Sequence, residues 1–239
     1  MNTNWTKKIA IALDVPDFDS ARNLLDQLQE IGELFKVGSQ LFTSVGPKII
    51  KEIKDRGKDI FLDLKFHDIP NTVARASESA VELGVDIFNI HISGGVEMMK
   101  TSAETVYLIS SKLGIKKPIL LGVTMLTSID ESEFQNVFST SRKLEDQIIY
   151  MAKLAKDSGL DGVVASPKEI KQIRKACGDD FVILTPGIRL EQIKGDDQKR
   201  VMTPSEAFSE GADYIVIGRP VYQSSDPANV FSQILRSIK

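Results

Sequence analysis

The sequence predicts an eight-stranded α/β barrel, the (β/α)₈ or TIM fold, formed by one domain of residues 1–239. Strand-like apolar runs recur eight times along the 239 residues, and amphipathic segments with helical spacing lie between them. Alternating strands and helices indicate βαβ units, and eight units in about 250 residues are typical of this barrel. An open doubly wound sheet usually has a glycine-rich turn after its first strand, where this chain has Asp14-Val15-Pro16-Asp17.

The predicted elements follow one another without a linker or a low-complexity run. The strands are Lys8–Val15, Leu34–Gly38, Ile60–Lys65, Asp86–Ile92, Ile119–Met125, Gly162–Ser166, Val182–Pro186 and Tyr214–Gly218. The helical segments include Ser20–Ile31, Pro47–Arg56, Thr72–Leu83, Val96–Leu113 and Leu144–Ser158. Residues 128–140 are predicted to form an extended loop.

Polar residues alternate with large apolar residues in several of these strands. Lys36 lies between Phe35 and Val37, and Asp14 continues the face of Ala10 and Ala12. Because side chains alternate across a strand, we expect the polar ones to face the barrel axis. Charges then collect at the carboxyl-terminal ends of the strands, where barrel enzymes place their active sites.

Composition argues against several classes of partner. The formal net charge is −3, so no global basic field attracts nucleic acid or an acidic membrane. No apolar run approaches the roughly 20 residues of a membrane span, and we expect a cytoplasmic protein. The single cysteine, Cys177, and the two histidines, His67 and His91, lack metal-site spacing, so we expect no bound metal.

The most informative stretch is residues 63–72, which follow a strand-like run. Asp63 and Lys65 share a strand face with Cα atoms roughly 6–7 Å apart, and Asp68 follows where Pro70 can open a helix. A surface salt-bridge cluster is the alternative interpretation. A lysine between carboxylates keeps its proton, which argues against a Schiff-base lysine and favours a donor of a proton or a hydrogen bond.

The ends of the last two strands predict a phosphate site. Barrels often bind phosphate in the loops after strands 7 and 8. Gly218 permits close backbone approach there, and Arg219 offers a guanidinium that can clamp phosphate oxygens. Residues 190–203 form a long polar segment that is a candidate lid, with a solvated loop as the alternative for Glu191–Arg200.

The run DLKFHDIPNT at residues 63–72 resembles the signature of orotidine 5′-phosphate decarboxylases of the bacterial type. IALDV, TPGIR and IVIGRP agree with that family in the same order along the chain. The resemblance implies a carboxy-lyase that converts orotidine 5′-monophosphate to UMP in pyrimidine biosynthesis without a cofactor. It implies that Lys65 protonates C6 and that Asp63 lies beside the departing carboxylate.

The resemblance also implies a homodimer with shared active sites. Asp14 and Lys36 match the residues that bind the ribose hydroxyls, and Lys36 and Asp68 complete the catalytic group with Asp63 and Lys65. The segment 68–72 contributes across the interface to the partner's site through Asp68, Ile69 and Thr72.

The remaining matches concern the base and the phosphate. Thr127 corresponds to a residue at the pyrimidine edge, although a plain turn residue is the alternative. Gln198 corresponds to a glutamine that reaches the phosphate and the base, and Arg189, Gly218 and Arg219 belong to the substrate-binding set.

Two other functions share these features. Sugar-phosphate decarboxylases and synthases of the same wider group have the Asp-x-Lys-x-x-Asp strand end but use magnesium, and their motif continues differently from HDIPNT. A catalytically silent nucleotide-phosphate binder is the other alternative. It would not need the costly cluster of Asp63 and Lys65.

Overall fold

The computed structural model describes residues 4–189 and 202–238. Eight parallel strands close into a barrel in sequence order, which confirms the predicted fold. The strands are β1 (Ile9–Ala12), β2 (Leu34–Gly38), β3 (Asp59–Phe66), β4 (Ile87–His91), β5 (Ile119–Val123), β6 (Gly162–Val164), β7 (Val182–Thr185) and β8 (Tyr214–Ile217).

Helices surround this barrel in the described part of the chain. They are α1 (Phe18–Leu28), α2 (Ser39–Val45), α3 (Lys48–Asp55), α4 (Pro70–Glu82), α5 (Val96–Leu113), α6 (Glu131–Phe138), α7 (Leu144–Asp157), α8 (Ile170–Cys177), α9 (Pro204–Ser209), α10 (Arg219–Tyr222) and α11 (Pro227–Ser237). Each of the five helical segments that the sequence predicts overlaps a different helix: α1, α3, α4, α5 and α7 respectively.

Two apolar layers hold the barrel together. One layer lies between the strands and the helices, and it includes Ile9, Ile11, Phe35 and Val37. The other fills the barrel interior with the alternate side chains Ala10, Ala12, Leu34, Phe61, Ile87, Leu121, Val123, Val164, Leu184 and Val216. The interior is therefore packed, and a cavity lies above this layer, at the carboxyl-terminal end.

The expectation of an extended loop at residues 128–140 is wrong. Helix α6 occupies most of this segment, and Asp130 caps it by accepting a hydrogen bond of 3.0 Å from the N–H of Glu133. Phe134 is buried against the core, so an apolar contact and an N-cap together stabilise the helix.

The chain changes from strand to helix just after the informative stretch. β3 extends to Phe66, and α4 begins at Pro70, which occupies the first turn where a missing N–H costs nothing. The pairing of β3 with β4 shifts register between Leu62 and Phe66. This irregularity lies within the segment that carries Asp63 and Lys65.

Candidate active site

A cavity of about 400 Å³ opens at the carboxyl-terminal end of the barrel. The apolar side chains that fill the barrel interior form its floor: Phe61, Val123, Val164, Leu184 and Val216. Charged side chains from the first three strands and from the ends of β7 and β8 line it above: Asp14, Lys36, Asp63, Lys65, Arg189 and Arg219. An apolar base with a few convergent charges is typical of a site for a small polar ligand.

Four charged side chains form a continuous network on one part of the cavity wall. Lys36 Nζ donates to Asp14 Oδ1 at 2.8 Å and lies 3.6 Å from Asp63 Oδ2. Lys65 Nζ donates to Asp63 Oδ1 at 2.6 Å, so the prediction that Asp63 and Lys65 meet is confirmed. Asp63 therefore lies between two ammonium groups, and its side chain is only 15% exposed.

The electrostatic environment keeps Asp63 ionised. Burial alone would raise the pKa of this carboxyl. The charges of Lys36 and Lys65, with hydrogen bonds from Lys65 and Asn89, outweigh burial and bring the pKa below its ordinary value. A buried carboxylate that stays charged at neutral pH is thus available in the cavity.

Asn89 joins this network, and the sequence reasoning did not single it out as a site residue. Its Nδ2 donates to Asp63 Oδ1 at 2.8 Å, and its Oδ1 accepts from the backbone N–H of Lys65 at 2.8 Å. The available signal was the polar alternation within β4, which places Asn89 on the face toward the barrel axis.

Two histidines lie beside this network. The ring centroids of His67 and His91 are 5.2 Å apart. Burial, with the nearby charges of His67 and Lys65, lowers the pKa of His91 to about 4 against the opposing charge of Asp63. His91 is therefore neutral at neutral pH, and His67 is exposed to solvent.

The ends of β7 and β8 supply two arginines. Arg189 is buried, its backbone N–H donates to Met202 O at 3.0 Å, and its Nη1 donates to Ile188 O at 2.9 Å. Arg219 begins α10 directly after Gly218, and both residues line the cavity. A Cβ at Gly218 would lie 3.5 Å from that of Ala12, an ordinary contact distance, so the packing against β1 leaves room for a small side chain there.

Tyr222 also lines the cavity, and the sequence reasoning missed it. It lies three residues after Arg219 in α10, and that short spacing was its only sequence signal. Burial raises the pKa of its hydroxyl, and the charge of Asp14 raises it further. The hydroxyl therefore stays protonated and can donate a hydrogen bond at neutral pH.

Not every predicted site residue lies in this cavity. Thr127 does, but Asp68, Ile69 and Thr72 are exposed and do not line it; the Ile69 side chain is 66% exposed. Gln198 lies outside the described residues, as does most of the candidate lid.

Over residues 4–189 and 202–238, no group of three or more His, Cys, Asp or Glu side chains could hold a metal ion. Within that part of the chain, no helix is long and apolar enough to cross a membrane.

Comparison with known proteins identifies the family. A family model described as orotidine 5′-phosphate decarboxylase / HUMPS family matches residues 7–234. The chain belongs to this family. The resemblance that the run at residues 63–72 indicates is thereby confirmed.

Individual relatives match over nearly the whole chain. A protein named orotidine 5′-phosphate decarboxylase from Moorella thermoacetica is 46% identical over 232 residues, which are 97% of this chain and 92% of the relative. One of the same name from Legionella pneumophila strain Corby is 47% identical over 98% of this chain and 100% of the relative. The crystal structure of orotidine 5′-phosphate decarboxylase from Lactobacillus acidophilus has a TM-score of 0.85 at 35% identity, with 97% of this chain and 98% of that chain covered.

Proposed function

We propose that this protein is a carboxy-lyase that decarboxylates orotidine 5′-monophosphate to UMP in pyrimidine biosynthesis, without a cofactor. The observation that carries the proposal is the network in which Asp63 lies between Lys36 and Lys65 at the mouth of the barrel. Membership of the family and relatives of that name at 45–47% identity support the same reaction.

The chemistry follows from the positions of Asp63 and Lys65. The substrate binds with its carboxylate beside Asp63 and C6 beside the Lys65 ammonium. The bond between C6 and the carboxylate breaks, CO₂ leaves, and the electron pair stays on C6. Lys65 transfers a proton to that carbon and regains one from solvent. Asp63, whose pKa is lowered, opposes the substrate's negative charge, and this repulsion is relieved as neutral CO₂ departs.

The rest of the cavity fits the remainder of the nucleotide. Its volume of about 400 Å³ lies within the range of sites for small ligands. Asp14 and Lys36 bind the ribose hydroxyls, and Thr127 contacts the edge of the pyrimidine. The phosphate binds to Arg219 and Arg189, as charged guanidinium groups and phosphate oxygens form strong paired hydrogen bonds.

Two further contributions to the phosphate site are proposed. The backbone of Gly218 approaches the phosphate closely because no side chain intervenes. Gln198 reaches from the polar segment after β7 to the phosphate and the base. This assignment rests on the resemblance of the sequence, because Gln198 is outside the described residues.

A second copy of the chain completes the site. Asp68, Ile69 and Thr72 lie on exposed surface after the cavity-lining strand β3, and the Ile69 side chain is 66% exposed, so this segment is open to contact with a second copy. In a two-fold dimer each subunit gives these residues to its partner's site. Asp68 then places its carboxylate near the catalytic lysine of the other subunit.

The alternatives differ from this proposal in measurable ways. A magnesium-dependent sugar-phosphate decarboxylase or synthase would lose its activity in chelator, and a silent nucleotide binder would have none. The 45–47% identity to orotidine 5′-phosphate decarboxylases over nearly the full chain favours the proposed decarboxylase over both alternatives. The cytoplasmic location and the single domain of residues 1–239 stay predictions.

One assay tests the function directly. Purified protein in excess EDTA is mixed with orotidine 5′-monophosphate, and the loss of substrate absorbance is followed. We expect the same turnover with and without the chelator. Absence of turnover, or turnover that EDTA abolishes and magnesium restores, contradicts the proposal.

A further inference from the structure

The hydrogen-bond ladder between β3 and β4 is interrupted beside the charged network. The register pairs Leu62 with Phe88, and the next pair is Phe66 with Ile90. One residue of β4, Asn89, therefore faces three residues of β3. Regular pairing cannot satisfy the backbone of such a bulge, and another group must do so.

The side-chain amide of Asn89 fills this gap. Its Oδ1 accepts from the backbone N–H of Lys65, and its Nδ2 donates to Asp63 Oδ1, both at 2.8 Å. Only one orientation of the amide allows both bonds, because an N–H and a carboxylate need opposite partners. Asn89 is 0% exposed, so its amide group is shielded from solvent.

The backbone of Lys65 needs such support. Its φ is 51°, in the left-handed region that disfavours residues with a Cβ by roughly 1–2 kcal/mol. In this conformation the Lys65 side chain meets Asp63 at 2.6 Å. Strained backbone persists where the surrounding structure holds it, and it clusters at functional sites.

We propose that Asn89 is a positioning residue that fixes the Asp63 carboxylate and the Lys65 backbone relative to each other. The inference rests on the proposed function, since the fixed pair is the one that acts on the substrate. Asn89 reaches no reacting atom itself; it acts through the two groups that do.

The charges around Asp63 define what the experiment measures. Lys36 from β2 and Lys65 from β3 face this carboxylate. Asp14, just after β1, pairs with Lys36, and His91 from β4 responds to the charge of Asp63. The Asn89 hydrogen bond is one of the causes that lower the pKa of Asp63. Its removal must therefore raise that pKa.

Two substitutions distinguish the contributions of the two hydrogen bonds that Asn89 makes. Asn89→Leu keeps similar volume and removes both. Asn89→Asp keeps an acceptor for the Lys65 N–H but places a second carboxylate against Asp63. Ser102→Ala is the matched control, because it removes a buried hydrogen bond of 2.7 Å to Met98 O within α5.

The measurements are kcat, KM, the pH profile of kcat/KM, the melting temperature and the carboxyl ¹³C titration of Asp63. We expect Asn89→Leu to lower kcat about 100-fold, the loss that misplacement by about 1 Å causes, with little change in KM. The acid limb of the profile and the Asp63 titration should move to higher pH, further in Asn89→Asp. The control should keep the wild-type profile.

Two results overturn the inference. One is that both Asn89 variants keep the wild-type kcat and acid limb. The other is that their activity falls only in proportion to the fraction unfolded while the Asp63 titration is unchanged. If the wild-type protein does not decarboxylate the nucleotide, the proposed function fails instead, and the ¹³C titration still tests the role of Asn89. If only one of the two variants folds, the Asp63 titration of that variant still shows whether Asn89 lowers the pKa of Asp63.

Discussion

The two ends of the barrel hold their carboxylates with different partners. At the amino-terminal end, one aspartate directly precedes each of the strands β4, β6 and β8. Each of these aspartates accepts a hydrogen bond of 2.8 Å from the backbone N–H of the second residue of the preceding strand. The pairs are Asp86 with Ile60, Asp161 with Leu120 and Asp213 with Ile183. A cation joins each aspartate: Lys54, Lys117 and Arg174 respectively.

The carboxyl-terminal end has another arrangement. Asp14 and Asp63 accept hydrogen bonds from the side chains of Lys36, Lys65 and Asn89. The aspartates at the amino-terminal end are each anchored by a backbone N–H of a strand in addition to a cation, whereas Asp14 and Asp63 are held by side chains, and the lysine stems among these are flexible. The same residue types therefore connect neighbouring strands at one end and are available to a substrate at the other.

The pKa values of two aspartates of β3 show the same contrast. Asp59 begins the strand, and burial followed by the charge of Asp86 raises the pKa of its carboxyl. Asp63 is more buried, yet the two lysines bring its pKa below the ordinary value. Charge placement, rather than burial, decides which carboxylate resists protonation. The predictions that follow use substitutions at one end as controls for the other.

The largest effect is expected for Lys65→Ala. If Lys65 is the proton donor, kcat should fall by roughly 10²–10⁴-fold, the usual contribution of general acid catalysis. Binding of UMP should stay measurable by calorimetry, since the phosphate and ribose contacts remain. Lys117→Ala, which removes a lysine–carboxylate pair at the opposite end, should keep its kcat. Near-normal turnover of the Lys65 variant would exclude the proposed role.

The second-largest effect is expected in a subunit-mixing experiment, which tests whether one chain alone supplies a complete active site. Lys65→Ala and Asp68→Ala are each expected to be nearly inactive. The two proteins are dissociated, mixed and allowed to reassort. Random pairing makes half of the dimers mixed, and each mixed dimer has one site with both lesions and one with neither. About a quarter of all sites should then regain activity in a two-fold arrangement.

Mixed dimers must be shown to form, for example with two differently tagged chains that are co-purified. If Asp68 served its own subunit, every site would keep one lesion. Mixed dimers without recovered activity would therefore contradict a shared site.

A smaller effect is expected at the phosphate. Arg219→Ala should raise KM for the nucleotide about 10–150-fold, as charge-assisted hydrogen bonds contribute about 1.5–3 kcal/mol each. The nucleoside, which lacks the phosphate, should be affected far less. Arg174→Lys is the control, because Arg174 connects Asp213 with backbone carbonyls at the amino-terminal end. Equal losses on nucleotide and nucleoside would place Arg219 away from the phosphate.

The sequence predicted the barrel because its signals are local and repeated. Alternating polarity in β1 and β2 already placed Asp14 and Lys36 on the axis, and Pro70 marked the start of α4. Helix α6 was missed although the sequence carried its signals. Asp130 accepts from the N–H of Glu133 as an ordinary N-cap, and Phe134, Val137 and Phe138 have the spacing of one helix face.

The role of Asn89 was beyond sequence reasoning for a different reason. Strand alternation assumes regular pairing, and β3 departs from it between Leu62 and Phe66. The left-handed backbone of Lys65 and the amide that holds it arise from contact between two strands. Pattern within one strand carries no information on such a contact.

The smallest effect is expected at Asp59, at the amino-terminal end. A carboxyl whose folded pKa is raised binds its proton more tightly in the folded state, so its ionisation costs stability once the pH exceeds that pKa. Asp59→Asn removes this cost. The free energy of unfolding in urea should therefore rise at pH 7 by about 0.5 kcal/mol, a size typical of partly exposed positions. Below the unfolded pKa of about 3.9 the gain should vanish, because the wild-type carboxyl is then protonated in both states. A variant that is less stable than the wild type at pH 7 would show that the Asp59 carboxylate is stabilised by its neighbours in the way that Asp63 is. A gain that persists at pH 3 would show that the gain does not come from the ionisation of Asp59.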